Sequence, residues 1–172
     1  MSGAGTQALK PGSYAIDPGR SRVRFQARHM FGLGPVHGTF GIDRGEIVIA
    51  EPVTGSAAEA VILAGSFSTG NRMRDADVRS AKYLDTAAHP EIVFRSQRVE
   101  QSGYGWTLHG DLTVRGQAQP VSVVISSARG TEDGAAFEAT TTIDRYAFGI
   151  TKGKGMTGRS LTLTFDIVAA QH

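Results

Sequence analysis

The chain has 172 residues, of which 40% are hydrophobic and 20% are charged, so it can form one domain with a buried core and is too apolar to be disordered. The formal net charge is only +2, which gives little support for a nucleic-acid-binding surface, and the absence of cysteine excludes disulfides and thiol nucleophiles. The 22 scattered glycines favour many turns and bent strands.

The first residues are small and polar. Residues 1–12 are predicted to form a disordered tail, ahead of a single domain at residues 13–170. The chain does not begin with a basic segment followed by an apolar one, the pattern of a secretion signal, and no apolar run approaches the ~20 residues that span a bilayer. We therefore expect no transmembrane segment and a cytoplasmic location.

Alternation of apolar and polar residues, the pattern of half-buried β-strands, dominates the chain. Val23 and Phe25 share one face of a predicted strand, and Arg22 and Arg24 share the other. The pattern recurs at residues 36–42, 91–99, 106–114, 137–143 and 160–168. There are about nine candidate strands, separated by short turn signals.

These strands need a second apolar surface to cover them. No second layer of helices is predicted, so either two sheets pack face to face or one sheet closes on itself. Gly38 and Gly110 fall on apolar faces, where small residues let a strand bend, and this favours closure. The predicted fold class is all-β, as a barrel or a strongly curved sandwich.

One charge-dense segment interrupts the strands. It predicts a helix at about residues 71–86, with Ser68 or Thr69 as the N-cap. Asp75 and Arg79 are four residues apart and can pair on one face of the helix. A single helix inserted into an all-β chain suggests a lid or plug.

The residues that commonly carry chemistry form no clear motif. Residues 153–158 match a dinucleotide-binding glycine pattern, but a strand follows where the pyrophosphate site requires a helix. The five histidines form no paired metal-ligand motif, and no nucleophile elbow occurs. His29 has the parity of Phe25, which places it at the end of an apolar lining, where an imidazole could hydrogen-bond a ligand headgroup.

An ordered set of short motifs runs through the chain. It comprises Tyr14-x-Ile16-Asp17, Ser21-x-Val23-x-Phe25, Val36-x-Gly38-x-Phe40, the segment with Asp75, Arg79-Ser80, Tyr83-Leu84-Asp85 and His89-Pro90, then residues 110–116 and Ile143-Asp144-Arg145. With this set the chain resembles the YceI-like family of polyisoprenoid-binding proteins, from Tyr14 to Val168.

The resemblance implies a fold and a ligand. The fold is an eight-stranded antiparallel lipocalin-like barrel with one inserted helix, so one of the nine candidate strands is expected to be split or to be a short edge segment. The implied ligand is a polyisoprenoid, such as a prenylated quinone or its precursor, held in an apolar tunnel. The family has no agreed catalytic residues, and many relatives carry a secretion signal that is not seen here, which suggests an intracellular member.

Strand parity then selects the expected ligand-binding residues. They are Val23, Phe25, His29, Phe40, Phe67, Phe94, Leu108, Phe137 and Phe165. We expect no required cofactor, no metal site and no nucleic-acid partner; the expected partner is an isoprenoid lipid, with a homodimer left open.

Two other functions fit the same pattern. One is an enzyme that acts on a quinone or isoprenoid in the same cavity, for which His29 and Thr141 are the inward polar candidates. The other is a barrel with a fully packed core that serves as an interaction module, because a barrel of about eight strands can be filled by side chains or can hold one small ligand.

Overall fold

A computed structural model describes residues 8–27, 35–103, 105–152 and 159–172. In these residues there are ten β-segments and one α-helix. The segments are β1 (Gly12–Ile16), β2 (Arg22–Ala27), β3 (Val36–Phe40), β4 (Ile42–Ile49), β5 (Ala57–Leu63), β6 (Glu91–Ser102), β7 (Gly105–Val114), β8 (Gln117–Gly130), β9 (Gly134–Asp144) and β10 (Ser160–Gln171). The helix, α1, is Arg72–Arg79, and short 3-10 turns occupy Val53–Gly55, Ala64–Ser66 and Arg145–Phe148.

The sheet closes on itself as an eight-stranded antiparallel barrel. Hydrogen-bonded neighbours follow the order β1-β4-β5-β6-β7-β8-β9-β10, and β10 pairs back with β1. The other two segments extend strands of the barrel. β2 pairs with β10 along the same edge as β1, so β1 and β2 are two parts of one interrupted strand. β3 pairs with β2 in the same way that β4 pairs with β1. This confirms the predicted barrel and the expectation that the extra candidate comes from a split strand.

Ser21 maintains the pairing with β10 across the interruption between β1 and β2. Its buried hydroxyl donates to the Val168 carbonyl at 3.1 Å and lies 2.9 Å from the Val168 amide, which donates to it. The backbone groups of Val168 therefore remain satisfied where the neighbouring strand is interrupted.

Inward and outward faces follow the predicted alternation. Val23 and Phe25 are buried, whereas Arg22 and Arg24 are exposed. On β7 the buried positions are again alternate ones, and they include Gly110. β6 bulges where it faces Gly110, and a Cβ atom there would lie 2.8 Å from the Cα of Ser96. Gly110 thus allows a close approach between two backbones, as expected for a strongly bent sheet.

The segment before β1 contacts the barrel. Leu9 packs against the core, and the Pro11 carbonyl accepts a hydrogen bond from the Gln171 side chain. The predicted disorder of residues 1–7 stays a prediction, because they lie outside the described residues. Within the described ranges, no helix has both the length and the apolar character required to cross a membrane.

The helix starts close to the predicted position but has a different N-cap and is shorter. The Asn71 side chain accepts from the Arg74 amide, so Asn71, and not Ser68 or Thr69, is the N-cap. The prediction that the helix extends to residue 86 was also wrong. It ends at Arg79, because Ser80 has an extended backbone and its hydroxyl donates to the Asp77 carbonyl, which competes with the next helical hydrogen bond.

Replacing Gly110 with alanine should destabilise the barrel. The added Cβ meets backbone atoms of Arg95 and Ser96 that cannot move without breaking the ladder, so we expect a loss of about 1–3 kcal/mol in the free energy of unfolding, measured by urea denaturation. Gly65→Ala is the matched control, because the Cβ added at Gly65 would meet no atom within 4 Å. Equal denaturation midpoints for the two variants would contradict the close-approach interpretation.

Ser21→Ala removes both hydrogen bonds to Val168 at the interrupted strand. The Val168 amide then loses its partner, whereas the Val168 carbonyl still accepts from the Asp17 amide at 2.8 Å, so the variant should lose about 1–3 kcal/mol of unfolding free energy. The exposed Ser160 provides the control substitution, Ser160→Ala. Hydrogen exchange of the Val168 amide is the sharper measurement: unchanged protection in Ser21→Ala would show that the hydroxyl does not hold this junction.

An ion-pair network links β2 to β10 on the outer surface. The Nε and Nη2 atoms of the Arg24 guanidinium donate to the Asp166 carboxylate, at 2.6 and 3.1 Å, and Arg22 and Glu138 lie nearby. The hydrogen bond from Arg24 lowers the pKa of Asp166 below its ordinary value, and partial burial opposes this shift. The network thus favours the folded state while Asp166 is ionised.

The stabilisation by Asp166 should depend on pH. Because its folded-state pKa is depressed, the contribution is present above the unfolded pKa of about 3.9 and is lost as the pH falls through the lower folded value. Asp166→Asn should cost no more than about 1 kcal/mol at neutral pH, since the pair is partly exposed, and the difference from wild type should narrow on acidification. Glu132→Gln, an exposed charge change, is the control; a pH-independent difference for Asp166→Asn would contradict this account.

Candidate functional site: an apolar chamber inside the barrel

The barrel interior contains a cavity of about 310 Å³, here called the large chamber. Its wall is almost entirely apolar and is formed by inward side chains of strands around the barrel. These include Ile16, Ile47, Ile49, Phe94, Val99, Trp106, Leu108, Val123, Ile125, Phe137, Phe165 and Ile167. The volume lies within the range of ligand pockets in proteins, at its lower end.

Small side chains are the reason that this part of the interior is unfilled. Ala58 and Ala60 are successive inward residues of β5, and Ala139 of β9 also lines the chamber. Further along β5, the inward position is occupied by Ile62, which is buried outside the chamber wall. The space is therefore left where inward positions are occupied by alanines.

The large chamber approaches the surface at the barrel end that contains the β4–β5 connection. Leu9, Val53 and Ser56 line it, and each belongs to a segment outside the strands at this end. The helical insertion lies between Leu63 of β5 and Glu91 of β6, which places it at the opposite end of the barrel. The predicted lid or plug therefore does not cover this opening.

Three aromatic rings fill the other end of the barrel. Phe25, Phe40 and Phe67, here called the aromatic cluster, have ring centroids 5.0 to 6.3 Å apart. Such separations are favourable for tilted aromatic pairs. Phe25 also covers Gly38 on the neighbouring strand, where a Cβ would collide with its ring.

A second, small chamber of about 70 Å³ lies beside the aromatic cluster, and its wall shares no residue with that of the large chamber. Val78, Tyr83 and Leu84 of the helical insertion line the small chamber together with the three rings. The insertion thus plugs this end of the barrel.

Charged residues of α1 hold Phe67 in place. The Asp75 carboxylate accepts from the amide and hydroxyl of Thr69, at 3.0 and 2.6 Å, and Arg79 donates to the Phe67 carbonyl. Asp75 and Arg79, whose spacing allows a pair, each instead fasten the segment before the helix. That segment also pairs with β3 through Thr39 and Ser68.

The predicted ligand-binding residues fall into two groups and two single positions. Phe94, Leu108, Phe137 and Phe165 line the large chamber, whereas Phe25, Phe40 and Phe67 line the small one. Val23 is buried and lines neither chamber, and His29 lies outside the described residues. A role of these side chains in binding stays a prediction.

Sequence reasoning missed most of the chamber wall. Trp106 and Ile167 lie on apolar faces that the alternation identifies, so parity alone could have added them. The alanines gave a weaker signal. Ala58 and Ala60 alternate with Glu59 on β5, but the next inward residue of this strand, Ile62, is larger. Alternation does not distinguish alanines that line a cavity from alanines that are tightly packed.

Two polar arrangements bear on the enzyme alternative. The inward hydroxyl of Thr141 donates to the Ser122 carbonyl at 2.8 Å, so it is already used within the sheet. On the outer face, His109 lies 3.0 Å from the Ser122 hydroxyl and 2.7 Å from the Glu100 carboxylate. The hydrogen bond between His109 and Glu100 lowers the pKa of Glu100. His109 and Ser122 are directly opposite each other in the sheet, on the outside of the barrel and away from the chamber.

Comparisons with known proteins agree with this architecture. The model of the YceI-like domain matches residues 14–169. A UPF0312 protein of Ectopseudomonas mendocina is 31% identical over 172 residues, covering 95% of this chain and 89% of the relative. Protein YceI of Escherichia coli is 29% identical over 158 residues, covering 87% and 81% of the two chains.

Solved structures show the same fold. The crystal structure of Burkholderia cenocepacia BcnA matches with a TM-score of 0.81 at 21% identity, over 91% of this chain and 99% of the other. A domain from Saccharophagus degradans, described as a polyisoprenoid binding domain implicated in plant cell wall breakdown, matches with a TM-score of 0.60 at 14% identity, over 92% and 98%. The match of the family model to almost the whole barrel, together with the 31% identical relative, shows that this chain belongs to the YceI-like domain family.

Proposed function

We propose that the chain binds the apolar tail of an isoprenoid lipid, such as a prenylated quinone or its precursor, in the large chamber, and so carries or sequesters it. The observation that carries this proposal is the unfilled apolar chamber of about 310 Å³ in the barrel interior. The description of the Saccharophagus degradans domain as polyisoprenoid binding supports it by analogy of fold.

The driving force for binding is the removal of the tail from water. Each buried methylene group contributes roughly 0.8 kcal/mol, and the apolar wall offers water few hydrogen-bond partners. The tail therefore does not have to displace tightly bound water. Ordering of the lipid reduces the affinity well below the sum of its methylene contributions.

The headgroup should remain at the opening of the chamber. Ser56 is the polar residue at the end of the barrel where the chamber approaches the surface, whereas Glu59 alternates with the inward Ala58 and Ala60 and its carboxylate lies near Arg95 on the outer face. Burying a polar headgroup against the apolar wall further inside would leave its hydrogen-bonding groups unsatisfied, at a cost of several kcal/mol. The interior thus selects for an apolar tail, with the headgroup oriented outward.

Filling the chamber should weaken binding of the lipid. Ala139→Leu places a larger side chain in the wall without removing any hydrogen bond, so we expect folding to be kept and the affinity for farnesol to fall at least about tenfold. Ala118→Leu, on the exposed face of β8, is the matched control and should bind like wild type. Quenching of Trp106, the single tryptophan and a chamber residue, reports binding.

The natural ligand can be sought in the same purified protein. Organic extraction followed by mass spectrometry should recover a prenyl lipid from wild type and less of it from Ala139→Leu. An extract without any prenyl lipid, together with no uptake of added farnesol, would refute the proposed function.

A further inference from the structure

Two neighbouring strands separate at the barrel end where the large chamber approaches the surface. The last pair between β5 and β6 is Glu59 with Arg95, although β5 begins at Ala57 and β6 continues to Ser102. Ala57 still pairs with Val48 of β4 on its other side. In the described part of the chain, the edge of β6 that faces β5 therefore has no strand beside it beyond Arg95. The barrel wall thus contains a gap, here called the β5–β6 gap.

This gap is a local feature of one pair of strands. At the same end of the barrel, β1 and β4 stay paired to Gly12, the first residue of β1, and β9 and β10 stay paired to Gly134, the first residue of β9. β6 bulges after Ser96, and the Ser96 hydroxyl accepts from the Ala58 amide at 2.8 Å in place of a backbone partner. A bulge bends its strand away from regular pairing, so β6 separates from β5 at this point.

The β5–β6 gap leads into the large chamber. Ser56 and Ala57 line the chamber on one side of the gap, and Val99 lines it on the other. The 3-10 turn Val53–Gly55 lies beside β6 and covers the gap. Val53 is the residue of this turn that lines the chamber, and the rest of the turn is exposed. The side chain of Val53 thus lies between the chamber and the solvent.

The covering turn is not hydrogen-bonded to β6. The Gly55 and Ser56 amides donate to carbonyls within the β4–β5 connection, and the Ser56 hydroxyl accepts from the Ala50 amide at 2.9 Å. Within the described ranges, no hydrogen bond joins residues 51–55 to β6. The turn can therefore move away from β6 without breaking a hydrogen bond, and segments with few buried contacts open at a low cost in free energy.

The other segment at this opening is fastened more firmly. Leu9 also lines the large chamber, but the carbonyls that follow it are held by hydrogen bonds. The Lys10 carbonyl accepts from the Tyr14 hydroxyl, and the Pro11 carbonyl accepts from the Gln171 side chain. Displacement of this segment breaks both hydrogen bonds, so the turn at Val53 is the easier of the two to move.

We propose that the isoprenoid enters and leaves the large chamber through the β5–β6 gap, and that Val53 gates this route. The inference rests on the proposed function and adds the way in which the lipid reaches the site. Ser56 lies at the edge of the gap, so the route also brings the headgroup to the place where it is expected to remain.

Rate constants for farnesol binding test the route, and stopped-flow quenching of Trp106 in the chamber wall measures them. Val53→Ala shortens the side chain over the gap, so the association and dissociation rate constants should both rise at least about threefold. Thr54→Ala, an exposed change in the same turn, is the matched control and should leave both unchanged. Leu9→Ala removes a chamber contact from the fastened segment, so it should raise the dissociation rate constant while association changes less than about twofold.

Closing the gap covalently should have the opposite effect. The chain has no cysteine, so Thr54→Cys and Arg98→Cys, both at exposed positions, can be joined by a short bis-maleimide across the gap. Protein loaded with farnesol and then cross-linked should release it at least about tenfold more slowly than the same variant before cross-linking. Glu59→Cys with Arg95→Cys, which are exposed and directly opposite each other within the β5–β6 ladder, is the control and should release farnesol at an unchanged rate.

The outcomes separate the two proposals. Failure of farnesol to bind to wild type would refute the proposed function, and the route with it. Binding with unchanged rate constants in Val53→Ala and in the cross-linked variant would leave tail binding standing and overturn the route. Faster association in Leu9→Ala than in Val53→Ala would also overturn it, because entry would then take place past Leu9.

Discussion

The pairing of β1 with β10 is the constraint on which the rest of this structure depends. It joins the two ends of the sheet and so removes every apolar face from water without a second layer. Closure requires the strands to bend and approach closely. Gly110 allows a close approach between two backbones, and the Ser21 hydroxyl hydrogen-bonds β10 where the neighbouring strand is interrupted. Closure also fixes an interior volume that side chains either fill or leave open.

Aromatic side chains occupy the interior at one end of the barrel, whereas small side chains leave space at the other. At one end, the helical insertion brings Phe67 against Phe25 and Phe40, and the charges of Asp75 and Arg79 fasten it there. At the other end, alanines leave the large chamber next to a connection without regular strand structure. The charged helix and the large chamber thus lie at opposite ends of one barrel interior.

Local patterns predicted the fold well and the site only in part. Alternation identified the inward faces of Val23, Phe25 and Leu108, because strand parity depends only on neighbours in the sequence. It did not reveal that Phe25 lies in a packed cluster while Leu108 lines a cavity, since filling depends on residues from all strands at one level. The early end of α1 at Arg79 was missed for a related reason: a side-chain hydrogen bond outweighed helix propensity.

A crystal structure of the chain saturated with farnesol is the most direct test of the central claim, that the large chamber holds an isoprenoid tail. The account predicts continuous density for the tail between Ile47 and Phe137, with the hydroxyl end near Ser56. An empty large chamber at saturating farnesol, with the lipid bound elsewhere or not at all, would contradict it.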